Sequence, residues 1–364
     1  MSRLAKKAAS HLSQMVPGED LETLKLELGL EKVLRLSMNE NMYGPSPRVA
    51  EAICSWAAVE GQGSLYPDSR LSRLRKAVAE FHEVDPETLV FTNGLDEMIQ
   101  LLARTFIEPG DEVLVHEPTF YEYGAQVKVD GGVVVGVPYK NYSIDWSGMK
   151  AALSEQTKLV YICNPNNPTG TQEPLSAIED FLAVLPEDVL VLIDEAYFEY
   201  TGLPESQSGV ALMARWPQVA VMRTFSKAYG LANIRCGYTI FPLEEARMVD
   251  AARRPFNVSS ITETAALAAF EDREHLTSIV SGNLAERELW LDFLGKMALN
   301  HYPSMTSFVL FEVPDAARLI AFLRGHGFIV GEHSFPNWIR LNFPQAADGA
   351  KLRQLLEEFL AVVD

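Results

Sequence analysis

Val219-Ala220-Val221-Met222-Arg223-Thr224-Phe225-Ser226-Lys227-Ala228-Tyr229-Gly230-Leu231-Ala232-Asn233-Ile234-Arg235 begins as an unbroken apolar run and ends in an arginine. Four consecutive apolar residues, with no polar alternation, read as a strand buried on both faces. The lysine behind that strand stands between small and hydroxyl-bearing residues. A lysine that acts as nucleophile and proton carrier needs this setting: partial desolvation, a nearby cation and a rigid segment. The same residues also suit a solvated surface lysine, so the rest of the chain has to decide.

Outward from this stretch the pattern repeats. Short apolar runs recur at Leu89 to Phe91, Val113 to Val115, Val133 to Val137, Leu159 to Ile162, Val189 to Ile193 and Tyr238 to Phe241. Helical spacing fills several of the gaps, as in Glu97 to Phe106 and Pro174 to Val184. Continuous aliphatic strands joined by helices predict an α/β fold, a mainly parallel sheet with helices on both faces. Upstream, the spacing predicts helices over Pro47 to Val59 and Leu71 to Phe81, and Asn39 to Pro47 is dense in turn formers. Beyond about Arg254 the pattern changes to helices at Ile261 to Ala269 and Leu284 to Met297. Strands at Ser307 to Glu312 and Trp338 to Phe343 follow, with terminal helices near Ala316 to Arg324 and Gly349 to Val362. That is a smaller α+β unit. The expected division is a large ligand-binding domain over 44–251, with 1–43 and 252–364 forming an N-terminal arm and small domain.

Lys+Arg number 31 against Asp+Glu 49, a formal net charge of −18. A polyanion would be repelled, which argues against nucleic acid or an anionic membrane as the main partner. An anionic substrate would need local positive charge within its site. Met1 to Asp20 lacks the apolar core of a signal peptide and reads as an amphipathic helix. No run approaches a membrane span. Cys54, Cys163 and Cys236 show no metal or redox spacing, and fit thiols in a reducing cytoplasm.

In a covered parallel sheet, ligands bind beyond the carboxyl ends of the strands. After Leu89 to Phe91 comes Thr92-Asn93-Gly94-Leu95-Asp96-Glu97, a tight turn into a helix whose free N–H groups suit a phosphate as well as an ordinary cap. After Val113 to Val115 come Phe120, Tyr121 and Tyr123, able to stack on a flat ligand or simply to pack. After Leu159 to Ile162, Asn164-Pro165-Asn166-Asn167-Pro168-Thr169-Gly170 is more rigid than a plain loop requires and aims an amide inward. After Val189 to Ile193, Asp194-Glu195-Ala196-Tyr197 puts acids behind buried aliphatics. Such an acid needs either a structural cation or a protonated ligand nitrogen, and the residues leave both open. Lys227 and Arg235 complete the set. One ligand uses all five strand ends: pyridoxal phosphate, with its aldehyde, pyridinium nitrogen, phenolic oxygen and phosphate.

On Asn39-Glu40-Asn41 with Gly44-Pro45-Ser46-Pro47, Tyr66-Pro67-Asp68, Asn93 to Glu97, Asn164 to Gly170, Asp194 to Tyr197, and Ser226-Lys227-Ala228 with Arg235, the chain resembles the fold-type I, class I/II aminotransferases. Within them it is most similar to the histidinol-phosphate aminotransferase branch, over nearly its whole length. The resemblance implies that Lys227 holds the cofactor covalently, and that Asp194 pairs with the pyridinium nitrogen. It implies that Asn167 and Tyr197 bond the phenolic oxygen while Phe120 stacks on the ring. Gly94, the N–H groups of Leu95 and Asp96, Thr224, Ser226 and Arg235 would hold the phosphate. Tyr66 would reach the neighbouring subunit's cofactor, which implies a homodimer. Arg340 would bind the substrate's anionic group, with Asn41, Tyr43 and His333 beside it. No metal is implied.

The family usually has a tyrosine at Phe120 and a small residue at Leu95, and both changes are mild. A larger departure is Gly327-Phe328-Ile329-Val330-Gly331-Glu332-His333. The histidinol-phosphate branch generally has a second, phosphate-binding arginine where Gly331 stands. Its loss would weaken phosphate binding by about 1.5–3 kcal/mol per charged hydrogen bond. Either His333 compensates, or the substrate is a carboxylate-bearing amino acid held by Arg340 alone, which is the favoured expectation. The expected reaction is ping-pong transfer of an amino group to a 2-oxo acid such as 2-oxoglutarate. Rival readings are a decarboxylase or eliminase on the same scaffold (similar to threonine-phosphate decarboxylase or capreomycidine synthase) and a non-catalytic aminotransferase-like sensor. A nicotinamide dehydrogenase is disfavoured, because no Gly-x-Gly-x-x-Gly follows the first strand.

Overall fold

The computed structural model describes residues 20–363. The amphipathic helix expected over Met1 to Asp20 lies outside the described residues except for Asp20. A seven-stranded sheet carries the fold, in the spatial order 89–92, 237–240, 219–224, 190–194, 157–163, 112–117, 133–138. All neighbours are parallel except Gly237–Ile240, which runs antiparallel to both Leu89–Thr92 and Val219–Thr224. The expected mainly parallel α/β sheet is therefore present, with one reversed strand near its edge.

Burial explains the unbroken aliphatic runs. Every residue of Leu190–Asp194 and of Val219–Thr224 is buried, whereas the edge strand Val133–Pro138 is half exposed. A fully buried Leu or Ile stabilises by about 1.5–3 kcal/mol, the scale against which a buried charge has to be set. Helices pack on both faces. Leu95–Phe106 turns Leu95, Met98, Ile99 and Leu102 into one core, while Ile178, Phe181 and Leu182 of Leu175–Leu182 fill another.

Register places the chemistry. Asp194 is opposite Met222 and Cys163, and Gly237 is opposite both Thr224 and Thr92. The carboxyl ends of four strands and the start of the reversed one therefore meet at a single edge of the sheet.

A second core lies around Trp290, Phe311, Ile339 and Phe359. It is built on an antiparallel sheet of Gly331–Glu332, Trp338–Asn342 and Phe308–Glu312. The N-terminal segment joins it. Leu34–Arg35 pairs with Phe328–Ile329, Leu36 N–H donates to Ile329 O at 2.8 Å, and Asn342 N–H donates to Leu36 O at 2.9 Å. These bonds hold the loop that starts at Asn39 against the sheet edge.

One helix corrects its expectation. The stretch expected to begin at Leu284 instead forms Arg273–Lys296, starting where the Asp272 carboxylate accepts from His275 N–H at 3.3 Å. Ser278, Ser281, Gly282 and Asn283 are poor helix formers and obscured the first turns in the sequence. Packing overrides them. A Cβ on Gly282 would lie 2.9 Å from the Tyr43 ring, so the glycine makes room for Tyr43.

Candidate active site

Asp194 ends its strand with 4% of its surface exposed. Its Oδ2 accepts from the Tyr123 hydroxyl at 2.5 Å and its Oδ1 from Ala196 N–H at 3.0 Å. Among the described residues no salt bridge reaches it. Burial pushes its carboxyl up to about 6, against the pull of Tyr123 and Ala196. The structural cation lies next door. Glu195 accepts from Arg223 Nε at 2.8 Å, and Arg223 also bonds Glu199 and Glu205. Of the two alternatives left open by the sequence, Glu195 is the structural ion pair. Asp194 is a buried acid without a cation.

Lys227 is partly buried, and its Nζ donates to the Asn39 carbonyl at 3.3 Å. Burial, and then the charge of Arg340, bring the amine down to about 8. Tyr197 is buried at the same edge. Its hydroxyl accepts from Asn39 Nδ2 at 2.8 Å, and its ring meets the edge of Phe308 at 5.1 Å.

The helix Leu95–Phe106 starts at this edge, with Gly94 at φ 76° as its cap. With ψ at 171°, that is a conformation essentially confined to glycine, and Arg235 lies over Gly94, so that a Cβ there would also displace the guanidinium. Arg235 Nη1 donates to Ser226 Oγ at 3.2 Å and Nη2 to Asp96 at 3.1 Å. Helix N–H groups, an arginine and a serine hydroxyl together form an anion cradle. Thr224 is less free than expected. Its hydroxyl donates to Cys236 O at 3.3 Å and accepts from Ser226 N–H at 3.1 Å, which shapes the turn carrying Ser226.

Arg340 comes from the small sheet and is 9% exposed. It donates through Nη1 to Asn167 Oδ1 at 2.7 Å and through Nη2 to Ser37 O at 2.6 Å, while its buried Nε has no partner among the described residues. Since Asn167 accepts through Oδ1, its amide N–H groups remain available as donors. Gly331 stands directly across the strand pair from Arg340. A Cβ there would meet only Ser37 Cβ, at 3.9 Å, so a side chain would fit beside Arg340. Burial and the Arg340 charge bring the His333 imidazole down to about 4, so it is neutral at pH 7.

Asn41 donates to Ala228 O at 2.8 Å and accepts from Tyr43 N–H at 2.8 Å, which places both beside Lys227. Phe120 packs its ring against Tyr123 at 5.6 Å. Tyr66 is not at this chain's own site. It is 83% exposed, stacks on Phe256 at 4.7 Å and faces a surface hollow with Trp56 and Leu65.

Two residues acquire roles that the sequence did not assign. Tyr123, grouped there with the stacking aromatics, lies beneath Asp194 instead. Nothing in its spacing pointed to an acid 71 positions on. Asn39 belongs to a recognised motif, but its contacts depend on a turn at φ 54° that residue types do not reveal.

Residues 31–359 match the family model of aminotransferase class I and II. This chain belongs to that family. The histidinol-phosphate aminotransferase of Lactiplantibacillus plantarum is 42% identical over 357 residues, covering 98% of this chain and 100% of that protein. The crystal structure of histidinol-phosphate aminotransferase from Sinorhizobium meliloti in complex with pyridoxal-5'-phosphate is 28% identical with a TM-score of 0.87. That match covers 100% of this chain and 99% of the other. A Thermus thermophilus aspartate aminotransferase double mutant is 25% identical with a TM-score of 0.81, covering 99% of this chain and 100% of the other. The aminotransferase cofactor, pyridoxal phosphate, fits the residues present: a buried acid with no salt bridge among the described residues, an anion cradle of Arg235, Ser226 and helix N–H groups, and a lysine of lowered basicity.

Proposed function

We propose that this aminotransferase moves the amino group of histidinol phosphate to a 2-oxo acid such as 2-oxoglutarate. The observation that carries the chemistry is Asp194, buried with no salt bridge among the described residues, at the strand end paired with Met222, on the strand that leads to Lys227. The donor is supported by the full-length similarity to proteins of that name. Bound pyridoxal phosphate supplies an aldehyde that condenses with amines and a ring that takes up the electron pair of the substrate α-carbon.

The residues divide the remaining work. Asp194 holds a proton on the ring nitrogen by offering a charge that nothing else neutralises. Arg235, Ser226 and the N–H groups of Leu95 and Asp96 hold the phosphate. Asn167 and Tyr197 donate to the ring's phenolic oxygen, and Phe120 covers one ring face. Lys227, with its amine lowered from 10.5 to about 8, is neutral in about a tenth of molecules at pH 7, far more than an ordinary lysine. It can therefore take the proton from the substrate α-carbon as base and return it as acid at the neighbouring carbon. Arg340, held by Asn167 and Ser37, supplies the cation for the substrate's anionic group.

A second reading is favoured by Gly331. With no arginine across from Arg340 and a neutral His333, a single cation faces the substrate, which suits a carboxylate-bearing amino acid. Purified, cofactor-loaded protein should be offered histidinol phosphate and a panel of amino acids without an oxo acid. Accumulation of the cofactor in its amine form shows transamination, whereas decarboxylation or elimination leaves the aldehyde form. Histidinol phosphate is expected to be the best donor. If an amino acid surpasses it, the second reading holds, and Gly331→Arg should then improve histidinol phosphate about tenfold or more in kcat/KM.

Residues 44–251 would form the cofactor-binding domain, with 1–43 and 252–364 as arm and small domain. The pairing of Leu34–Arg35 with Phe328–Ile329 supports that division. The exposed Tyr66 suits insertion into a second subunit of a homodimer. Three free cysteines, two of them buried, suit a reducing cytoplasm.

A further inference from the structure

Asn39 has no part in the chemistry above, yet it touches both Lys227 and Tyr197. It is 2% exposed, and its backbone sits at φ 54°, the left-handed region that asparagine tolerates better than most residues. Its carbonyl accepts from Lys227 Nζ at 3.3 Å and its Nδ2 donates to the Tyr197 hydroxyl at 2.8 Å. That hydroxyl has no other hydrogen-bond partner among the described residues.

A phenol has one proton to give, and its oxygen can accept as well. Since Asn39 donates to that oxygen, the hydroxyl proton is left for a different acceptor. We propose that Asn39 is a positioning residue: its amide N–H commits the Tyr197 hydroxyl to donate to the phenolic oxygen of the bound cofactor. This rests on the cofactor reading given above. It accounts for an asparagine at a left-handed position where glycine would serve the backbone but supply no N–H. Chains of hydrogen bonds polarise one another, so the asparagine also strengthens the tyrosine as a donor. Burial raises the Tyr197 hydroxyl, and the charge of Arg340 and then the Asn39 bond work against that rise.

The test uses the full chain loaded with pyridoxal phosphate and reads its visible absorbance against pH. The midpoint reports the proton shared between the lysine nitrogen and the ring's phenolic oxygen. A donor to that oxygen competes with the shared proton, so a weaker donor raises the midpoint. Asn39→Asp replaces the amide with an acceptor that draws the Tyr197 proton to itself. Asn39→Gly removes the donor and keeps the backbone conformation. Each is measured alone and combined with Tyr197→Phe, where the added aspartate charge persists but the hydroxyl is gone. Asn39→Asp should raise the midpoint by roughly one pH unit more with the hydroxyl present than without it. Asn39→Gly should raise it by less, and only with the hydroxyl present. If Asn39→Asp fails to fold, Asn39→Gly decides by the same criterion. Equal shifts in both backgrounds, or no shift in either, overturn the proposal even if melting temperatures fall. Failure of the wild-type chain to develop the absorbance overturns the cofactor reading, and the inference with it.

Discussion

Asp194 and Glu195 are consecutive carboxylates at the end of one strand, 4% and 1% exposed, and their surroundings are opposite. Glu195 meets a guanidinium, a serine hydroxyl and the Gly209 N–H within 2.8 Å. Asp194 meets a phenol and one N–H and, among the described residues, no cation. Burial lifts both carboxyls. Only Glu195 has a fixed positive partner to offset that cost. A buried acid whose cation belongs to the chain is structural, and one that lacks it is suited to a ligand that brings its own proton.

The largest effect that would break this contrast is on turnover. Asp194→Asn removes the charge proposed to face the ring nitrogen and should lower kcat/KM by roughly 10³-fold, an effect of about 4 kcal/mol. Steady-state assays on folded, cofactor-loaded protein check this, and a loss under tenfold would place Asp194 outside the chemistry. Next in size is Arg223→Met, which strands Glu195, Glu199 and Glu205 without their shared cation. It should cost about 3–5 kcal/mol of stability in denaturant melts, with activity per folded molecule much less affected.

The smallest effect contrasts the neighbours directly. In the cofactor-free protein the Asp194 carboxyl is raised from 3.8 to about 6. Below 3.8 it is protonated in both folded and unfolded chains and costs nothing. As pH rises towards about 6 the unfolded chain ionises first, and folding loses up to about 3 kcal/mol, a cost present in full above about 6. Asp194→Asn should therefore stabilise the cofactor-free protein at pH 8 relative to its effect at pH 4. Glu195→Gln removes the charge that pairs with Arg223 and turns an NH2 towards a donor, either Gly209 N–H or Arg223 Nε, and should destabilise at pH 8. Melts of both variants at the two pH values give the signs, and the same sign for both would remove the distinction.

The fold was legible because the central strands are buried on both faces, so residues such as Val191, Leu192 and Ile193 carry no polar interruption. The candidate site residues were legible because parallel topology sends each strand's following residues to one edge, where a conjunction of residue types is informative. Pairing was not. Whether Arg223 served Asp194 or Glu195 depends on which face of a strand each occupies and on the turn at Ser208, neither of which residue types specify. The length of Arg273–Lys296 was hidden for a related reason: Gly282 is dictated by the Tyr43 ring packed against it, not by its own helix. Substrate identity is the least legible feature, because Gly331, across the strand pair from Arg340, offers no side chain to read.

The central claim, that Lys227 is where the chain holds its cofactor, has a direct chemical test. Protein loaded with pyridoxal phosphate is reduced with borohydride, digested and mapped by mass spectrometry. A single phosphopyridoxyl adduct on Lys227, absent from Lys227→Ala, is predicted. An adduct on a different lysine, or none on protein that shows the cofactor's absorbance, would contradict the account.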